Sequence, residues 1–208
     1  MGDRWTRILV TGVGGQGVLS AGRWLGDAAH GCGLEVVVRQ IHGMSQRGGS
    51  VQASVIIGGA RSPEIAAGQA DALVAFEPME AVRSLAKVSD RTVVLVNTRP
   101  VLPVSLQSAG LPYPPLASLL GPLAEAAGSL VSLDATAVAE AAGSQRCLNV
   151  VMLGMLAGHG LLPFDRRHLL EVLVGEGLAT FQEVNRRAFE AGVEAASGSG
   201  SGTGSGGE

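Results

Sequence analysis

Ile8–Val18 reads ILVTGVGGQGV, an apolar run that breaks into glycines and then opens a helical pattern. Gly12, Gly14 and Gly17 satisfy G-x-G-x-x-G, with Gly15 as an additional small residue. This spacing belongs to a strand–turn–helix unit. One glycine permits the tight turn, the next lets the backbone approach a ligand, and the last lets helix and strand pack closely. The turn also aims backbone N–H groups outward at a helix N-terminus, where a phosphate can bind. Glycine-rich β–α turns serve packing as well, so the motif defines a Rossmann-like unit and a candidate phosphate site without naming the ligand.

The second strand, Glu35–Gln40 (EVVVRQ), argues against a nicotinamide site. A dinucleotide fold places an acid about 20 residues beyond the glycines, at the end of this strand, to hold the ribose hydroxyls. Here the strand ends in Arg39 and Gln40, and Glu35 stands at its beginning. NAD is not expected; Arg39 leaves an NADP-type ligand open.

Further strands are predicted at Val51–Ile57, Ala72–Phe76, Thr92–Val96 and Leu130–Leu133, besides Ile8–Thr11 and Glu35–Arg39. Most are short continuous apolar runs, as in strands buried on both faces. Helices are predicted over Gln16–Gly31, Pro78–Val88, Leu116–Ala127, Ala135–Ala142, Cys147–Ala157, Arg166–Val174 and Gly177–Ala191, with a short one around Pro63–Gly68. Glu77-Pro78 reads as a strand end followed by a proline at a helix start. Between Gln40 and Val51 there is no room for a crossover helix, so the second and third strands should pair antiparallel. The expected fold class is α/β: a Rossmann-like three-layer sandwich with a mostly parallel sheet, an irregular β2–β3 connection and C-terminal helices. Proline-rich Arg99–Pro115 is expected to be irregular and exposed, a place for contact with another surface.

The chain has 208 residues, 46% hydrophobic and only 3% aromatic, and carries a formal net charge of −3. The core must therefore be built from Val, Leu, Ile and Ala, as in a parallel sheet covered by helices. A nucleic-acid groove would need a basic stripe with stacking aromatics, and neither exists. Cys32 and Cys147 stand far apart and outside any C-x-x-C, so this chain cannot by itself ligate an iron–sulfur cluster, and two buried, reduced thiols are expected. No signal-peptide core follows the start MGDRWTRILV, and the apolar run Leu148–Ala157 is too short to span a membrane. A soluble, cytoplasmic protein is expected. One domain over residues 1–196 is predicted, followed from Ser197 by SGSGSGTGSGGE, a disordered Gly/Ser tail.

The other unusual stretch is His42–Ser50, HGMSQRGGS, which offers a cation, an amide, two hydroxyls and several unencumbered N–H groups. Folded toward Gly12–Gly17, it would frame one polar crevice outside the strand ends, where open α/β sheets bind ligands. Arg47 could hold a phosphate or carboxylate in bidentate fashion, or serve as a solvated or interfacial residue. His42 lacks a flanking acid to set its tautomer and reads as structural, as do His30, His159 and His168. Glu77 and Asn97 are well placed for a crevice, though capping explains each equally well. Asn149 needs a partner if buried, and Asp134 reads as a helix N-cap only. No G-x-S-x-G, G-K-[ST] or H-E-x-x-H occurs, and no residues form a self-sufficient catalytic centre.

Together, GVGGQGV, then HGMSQRGGSV after one βα unit, then the Glu77-Pro78 helix start resemble the gamma domain of 2-oxoacid:ferredoxin oxidoreductases, and more closely the small beta subunit of the indolepyruvate type. Asn97-Thr98, Tyr113-Pro114, the Asn149–Gly154 helix and the pattern Asn185, Ala188, Phe189, Gly192 fit as well. The resemblance covers roughly Ile8 to Gly192. It implies a large partner subunit that carries thiamine diphosphate and 4Fe-4S clusters. A 2-oxoacid is decarboxylated there, electrons pass to ferredoxin and the acyl group leaves on coenzyme A. By analogy, Gly12, Gly14, Gly15, Gln16 and Gly17, with Met44, Ser45, Gln46, Arg47, Gly48 and Gly49, are the candidates for a bound phosphate, coenzyme A or the subunit contact. Two other readings stay open: an independent NADP- or flavin-dependent reductase, and a purely structural assembly subunit whose glycine loops touch no small ligand.

Overall fold

The computed structural model describes residues 5–42, 49–59, 62–175 and 179–198. A six-stranded sheet runs in the order β2-β3-β1-β4-β5-β6, formed by β1 (Thr6–Val13), β2 (Val36–His42), β3 (Ser50–Ile57), β4 (Ala72–Ala75), β5 (Val93–Asn97) and β6 (Ser129–Leu133). β1, β4, β5 and β6 pair in parallel, while β3 lies antiparallel to both β2 and β1. The expected antiparallel pairing is present, from Val36 opposite Ile57 to His42 opposite Val51. A connection too short for a crossover leaves the returning strand no other direction.

Successive residues of each buried strand supply two separate cores. Ile8, Val10, Ala72 and Val74 face one side, with α1 (Val18–Gly31), α5 (Ala135–Ala142), α6 (Leu148–Gly158), α7 (Arg166–Gly175) and α8 (Ala179–Gly198). Leu9, Leu73, Val94 and Val96 face the other, with α2 (Pro78–Arg83) and α4 (Leu116–Ala126). Both faces are thus apolar, which is why the strands read as unbroken hydrophobic runs.

The apolar run noted above becomes α6, a helix buried all round from Leu148 to Ala157 between the sheet and α8. Among the described residues, no helix is long and apolar enough to cross a membrane. α6 and α8 approach so closely that a Cβ on Gly154 would lie 2.2 Å from the Phe189 carbonyl oxygen, and one on Gly192 2.1 Å from that of Val151. These glycines let the helices meet backbone to backbone.

Several local expectations differ from the structure. Residues 62–66 form no helix, only a turn at 67–68. Their polar groups are engaged elsewhere: Lys87 Nζ donates to the Ile65 carbonyl at 2.6 Å, and the Gly68 and Ala70 N–H groups donate to Ala86 and Lys87. Ile65, only 2% exposed, is thereby delivered into the second core. The Arg99–Pro115 stretch contains a short helix, α3 (Val104–Ser108). Cys32 is partly exposed, although Cys147 is buried as expected. Helix α8 extends over Ser197 and Gly198, and residues 199–208 lie outside those described.

His159, beyond the end of α6, carries a buried Nε2 with no partner among the described residues. Burial pushes this imidazole below its ordinary value of 6.5. The unfolded chain therefore binds the extra proton more readily than the folded one. The contribution from neutral His159 is complete above pH 6.5 and is lost as pH falls from there through the lower folded value. In urea unfolding from about pH 7.5 to about 5, His159→Gln should flatten this part of the stability profile. An identical pH slope in wild type and variant would remove His159 from the account.

Candidate functional site

The chain leaves β1 through the glycine turn and crosses by α1 toward β2, whereas β4 and β5 build the sheet in the opposite direction. The carboxyl ends of β1 and β4 consequently flank a topological switch point, where α/β sheets bind ligands. Gln16 fixes the turn there. Its Oε1 accepts the Val13 N–H at 2.7 Å, and its Nε2 donates to the Phe76 carbonyl at 3.0 Å. The Gly14 N–H donates to the Gly49 carbonyl at 3.0 Å, and the Gln16 N–H to Val13 at 3.1 Å. The protein thus occupies the Val13, Gly14 and Gln16 donors itself. A Cβ on Gly12 would lie 2.8–2.9 Å from Gln16 Oε1, Phe76 Cβ and Val18 Cγ2, so this first glycine admits the folded-in glutamine.

Gly17 caps α1 with φ 85°, and no acidic side chain sits in the first helical turn. The positive end of the helix is not offset by a local carboxylate. Gly15 has φ 100°, and an added Cβ would meet nothing within 4 Å. Its backbone is accessible, whereas Gly14, the fingerprint's second glycine, has its N–H taken by the Gly49 carbonyl.

Beside Gly15 and Gln16 opens a crevice of about 280 Å³, lined also by Arg99, Thr136, Arg146 and Leu148. Larger cavities of about 630 Å³ lie between α7 and α8 and beside β2. Neither touches the carboxyl ends of β1 and β4, which leaves the smaller one as the candidate site.

Its floor is a chain of buried amides and hydroxyls. Asn97, fully buried at the end of β5, donates from Nδ2 to the Phe76 carbonyl and to Thr136 Oγ1, both at 3.0 Å. Its Oδ1 accepts the Thr136 N–H at 3.3 Å and the Arg99 N–H at 3.4 Å. Gln16 and Asn97 therefore converge on one carbonyl and tie β1, β4, β5 and α5 together below the crevice.

Asp134 caps α5, accepting the Ala137 N–H at 2.9 Å, but it also holds Arg99 at 2.8 Å. Reading it as a cap alone is therefore corrected. Burial pushes its carboxyl up, yet the Ala137 N–H and the Arg99 guanidinium outweigh this and leave it below the usual carboxylate value.

Two further carboxylates lie buried at the start of α2. Glu77 caps the helix through the Glu80 N–H at 3.1 Å and accepts the Val101 N–H at 3.3 Å and the Tyr113 hydroxyl. Burial, and the neighbouring Glu77 carboxylate, push the Tyr113 phenol far above its ordinary value, which keeps it a donor. Glu80 accepts from the Ser50 hydroxyl at 2.5 Å and from Arg83. These groups are committed to one another, and they brace the start of β3 and the segment after β5.

Of the residues singled out in the sequence, the structure brings Gly12, Gly14, Gly15, Gln16, Gly17 and Gly49 together. Met44, Ser45, Gln46, Arg47 and Gly48 lie outside the described residues, as does the side chain of His42. His30 and His168 are exposed. Asn149, 6% exposed, lies against Gly17 and accepts the Val150 N–H at 3.0 Å. Sequence reasoning missed Arg99, Thr136 and Arg146. Their position just past a strand end or around a helix start is the one signal that would have suggested them.

A profile described as pyruvate ferredoxin/flavodoxin oxidoreductase matches residues 7–195. The chain belongs to this family of oxidoreductase subunits and domains. It is 40% identical over 192 residues to indolepyruvate oxidoreductase subunit IorB of Methanothermobacter thermautotrophicus, covering 92% of this chain and 98% of that one. The gamma subunit of a keto/oxoacid ferredoxin oxidoreductase from Geobacter sulfurreducens superposes with a TM-score of 0.66 at 25% identity, over 93% of this chain and 99% of that one. The 2-oxoglutarate:ferredoxin oxidoreductase of Magnetococcus marinus, with 2-oxoglutarate, coenzyme A and succinyl-CoA bound, shares the fold with a TM-score of 0.70 at 21% identity; the match spans 95% of this chain and 32% of that one.

Proposed function

We propose that this chain is the small subunit of a 2-oxoacid ferredoxin oxidoreductase of the indolepyruvate, or aryl pyruvate, type. The observation that carries this reading is the likeness to an indolepyruvate oxidoreductase subunit over nearly the whole of both chains. The reaction converts a 2-oxoacid, coenzyme A and two oxidised ferredoxins into acyl-CoA, carbon dioxide, two reduced ferredoxins and a proton. The bond between the carboxylate and carbonyl carbons breaks, a thioester forms, and the electron pair leaves singly.

A large partner subunit supplies thiamine diphosphate and the 4Fe-4S clusters and delivers electrons to ferredoxin. The chain's own side chains fit that division. Two cysteines cannot make a cluster's thiolate set, and Glu77 and Glu80 are already committed to Tyr113, Ser50 and Arg83. What remains available is the crevice at the glycine turn. It suits the coenzyme A side of a shared active site, with Gly15 and Gln16 in its lining and Gly12, Gly14 and Gly17 shaping the turn beside it; Met44, Ser45, Gln46, Arg47, Gly48 and Gly49 are the second candidate stretch in the sequence.

The test is Arg47→Ala in the assembled complex. Turnover of indolepyruvate with coenzyme A should fall at least about tenfold, the size of one lost charged contact, while the subunits still co-purify. Unchanged kinetics would remove Arg47 from the site.

A further inference from the structure

β2 is the outer strand on one side of the sheet. Its seven residues, Val36–His42, pair with β3 from end to end without a bulge. Proteins ordinarily blunt such an edge with a proline, a bulge or several charges, because its open N–H and C=O groups invite another strand. The sequence VVVRQIH has no proline and a single charge, Arg39. Val38 and Ile41 are 36% and 44% exposed.

One bond fixes which backbone groups face outward. The Gly58 N–H donates to the Glu35 carbonyl at 2.9 Å. Antiparallel pairing alternates, so Glu35, Val37, Arg39 and Ile41 turn their backbone groups toward β3, and Val36, Val38 and Gln40 turn theirs outward. The side chains alternate too. Val36 and Val38 stand on the α1 face, where Val38 lies against Gly26. Glu35, Val37 and Arg39 stand on the opposite face.

We propose that β2 pairs antiparallel with β2 of a second copy of this chain, about a two-fold axis at Val37, joining two sheets into one. In a two-fold contact, residue i meets j wherever j meets i. Val36 of each copy then faces Val38 of the other, and the two exchange their outward N–H and C=O groups. Glu35 of each copy faces Arg39 of the other, in the closer, non-hydrogen-bonded type of pair. Both side chains are exposed, and neither has an ionic partner among the described residues. Other registers lose this match. An axis at Val36 or Val38 sets Glu35 opposite Val37 or Ile41, and one at Arg39 sets two guanidinium groups face to face. Charge complementarity thus selects both the occupant and its register.

The helices leave room for this contact. α1 lies over β3 and β2, with Gly22 against Ala53 and Gly26 against Val38. In the joined sheet the two β3 strands stand three strand spacings apart, about 14 Å. Packed helices need about 8–10 Å, so the two copies of α1 clear each other. The open cavity of about 630 Å³ beside β2, lined by Arg23, Asp27, His30, Val36 and Val38 among others, becomes the seam between them. The carboxyl ends of β1 in the two copies point in opposite directions, so each crevice stays open to a large subunit.

Sedimentation equilibrium of the full chain tests the pairing. Wild type should form a dimer with a dissociation constant below about 100 µM. Arg39→Glu sets carboxylates face to face at both symmetric contacts and should raise that constant about tenfold or more, as should Glu35→Arg through its guanidinium groups. Combining Glu35→Arg with Arg39→Glu restores both pairs and should return the constant to within about threefold of wild type. Residues facing each other at this axis lie about 4.5 Å apart between Cα atoms, within reach of a disulfide. Val37→Cys should therefore cross-link two copies on mild oxidation, in a Cys32→Ser background because Cys32 is partly exposed. The same cross-link should form in the complex with the large subunit. A wild-type chain that stays monomeric at about 100 µM overturns the proposal. So does a dimer that is indifferent to both charge reversals and does not cross-link at residue 37, which would place the contact on another face.

Discussion

Gly192→Ala is expected to destabilise the protein by about 3 kcal/mol, the upper part of the range for forcing atoms into a packed core. For a chain of this size that lowers the melting temperature by about 6–12 °C. The new methyl would begin 2.1 Å from the Val151 carbonyl oxygen and 3.0 Å from the Met155 nitrogen. Both obstacles are backbone, so no side chain can rotate away. Helices α6 and α8 would have to separate, and with them Phe189 and Ala188 would lose their packing in the first core. Gly154→Ala should behave alike, because it meets the Phe189 carbonyl at 2.2 Å across the same contact. Thermal unfolding followed by circular dichroism checks both; a shift below about 2 °C would mean the two helices do not touch as described.

The second large effect is expected for Gly17→Ala. Gly17 has φ 85°, and a non-glycine residue in the left-handed region costs about 1–2 kcal/mol. Its Cβ would also lie 2.4 Å from Asn149 Nδ2 and 3.2 Å from Asn149 Cβ, so the whole asparagine must shift within α6. Gly15→Ala provides the control. Gly15 has φ 100° and would meet nothing within 4 Å, so it should carry the conformational cost alone. Gly17→Ala should therefore be the less stable variant by a further 1–3 kcal/mol or about that, measured by urea unfolding. Equal losses in the two variants would show that the fingerprint's last glycine serves only the turn and not the approach to α6.

Much of this architecture was legible in the chain because both faces of the sheet are buried. Val10 and Leu9 face different cores yet are both apolar, so each strand announces itself as a continuous run. The missing crossover after Gln40 likewise determined antiparallel pairing from length alone. Pro63–Gly68 misled because its composition fits a short helix, whereas its backbone partners, Ala86 and Lys87, lie about one helix away in sequence.

The candidate site was legible only in part. The glycines declared where the backbone turns, since φ values of 85° and 100° leave few alternatives. What the side chains do there depended on long-range contacts. Gln16 reaches a carbonyl 60 positions away, and Asn97 meets Thr136 39 positions away. Asp134 is a cap by local rule and an arginine partner by tertiary placement. No local pattern encodes such pairings, and the crevice with Arg146 and Thr136 emerges only when β5, α5 and the turn before α6 come together.

The most direct test of the central claim is an affinity pull-down of this chain from its native host, reading the partner's identity and the visible spectrum of the complex. The account predicts a large co-purifying subunit with the brown absorbance of iron–sulfur clusters, whose ferredoxin-reducing activity requires indolepyruvate and coenzyme A. A colourless protein without a partner, binding a dinucleotide by itself, would contradict it.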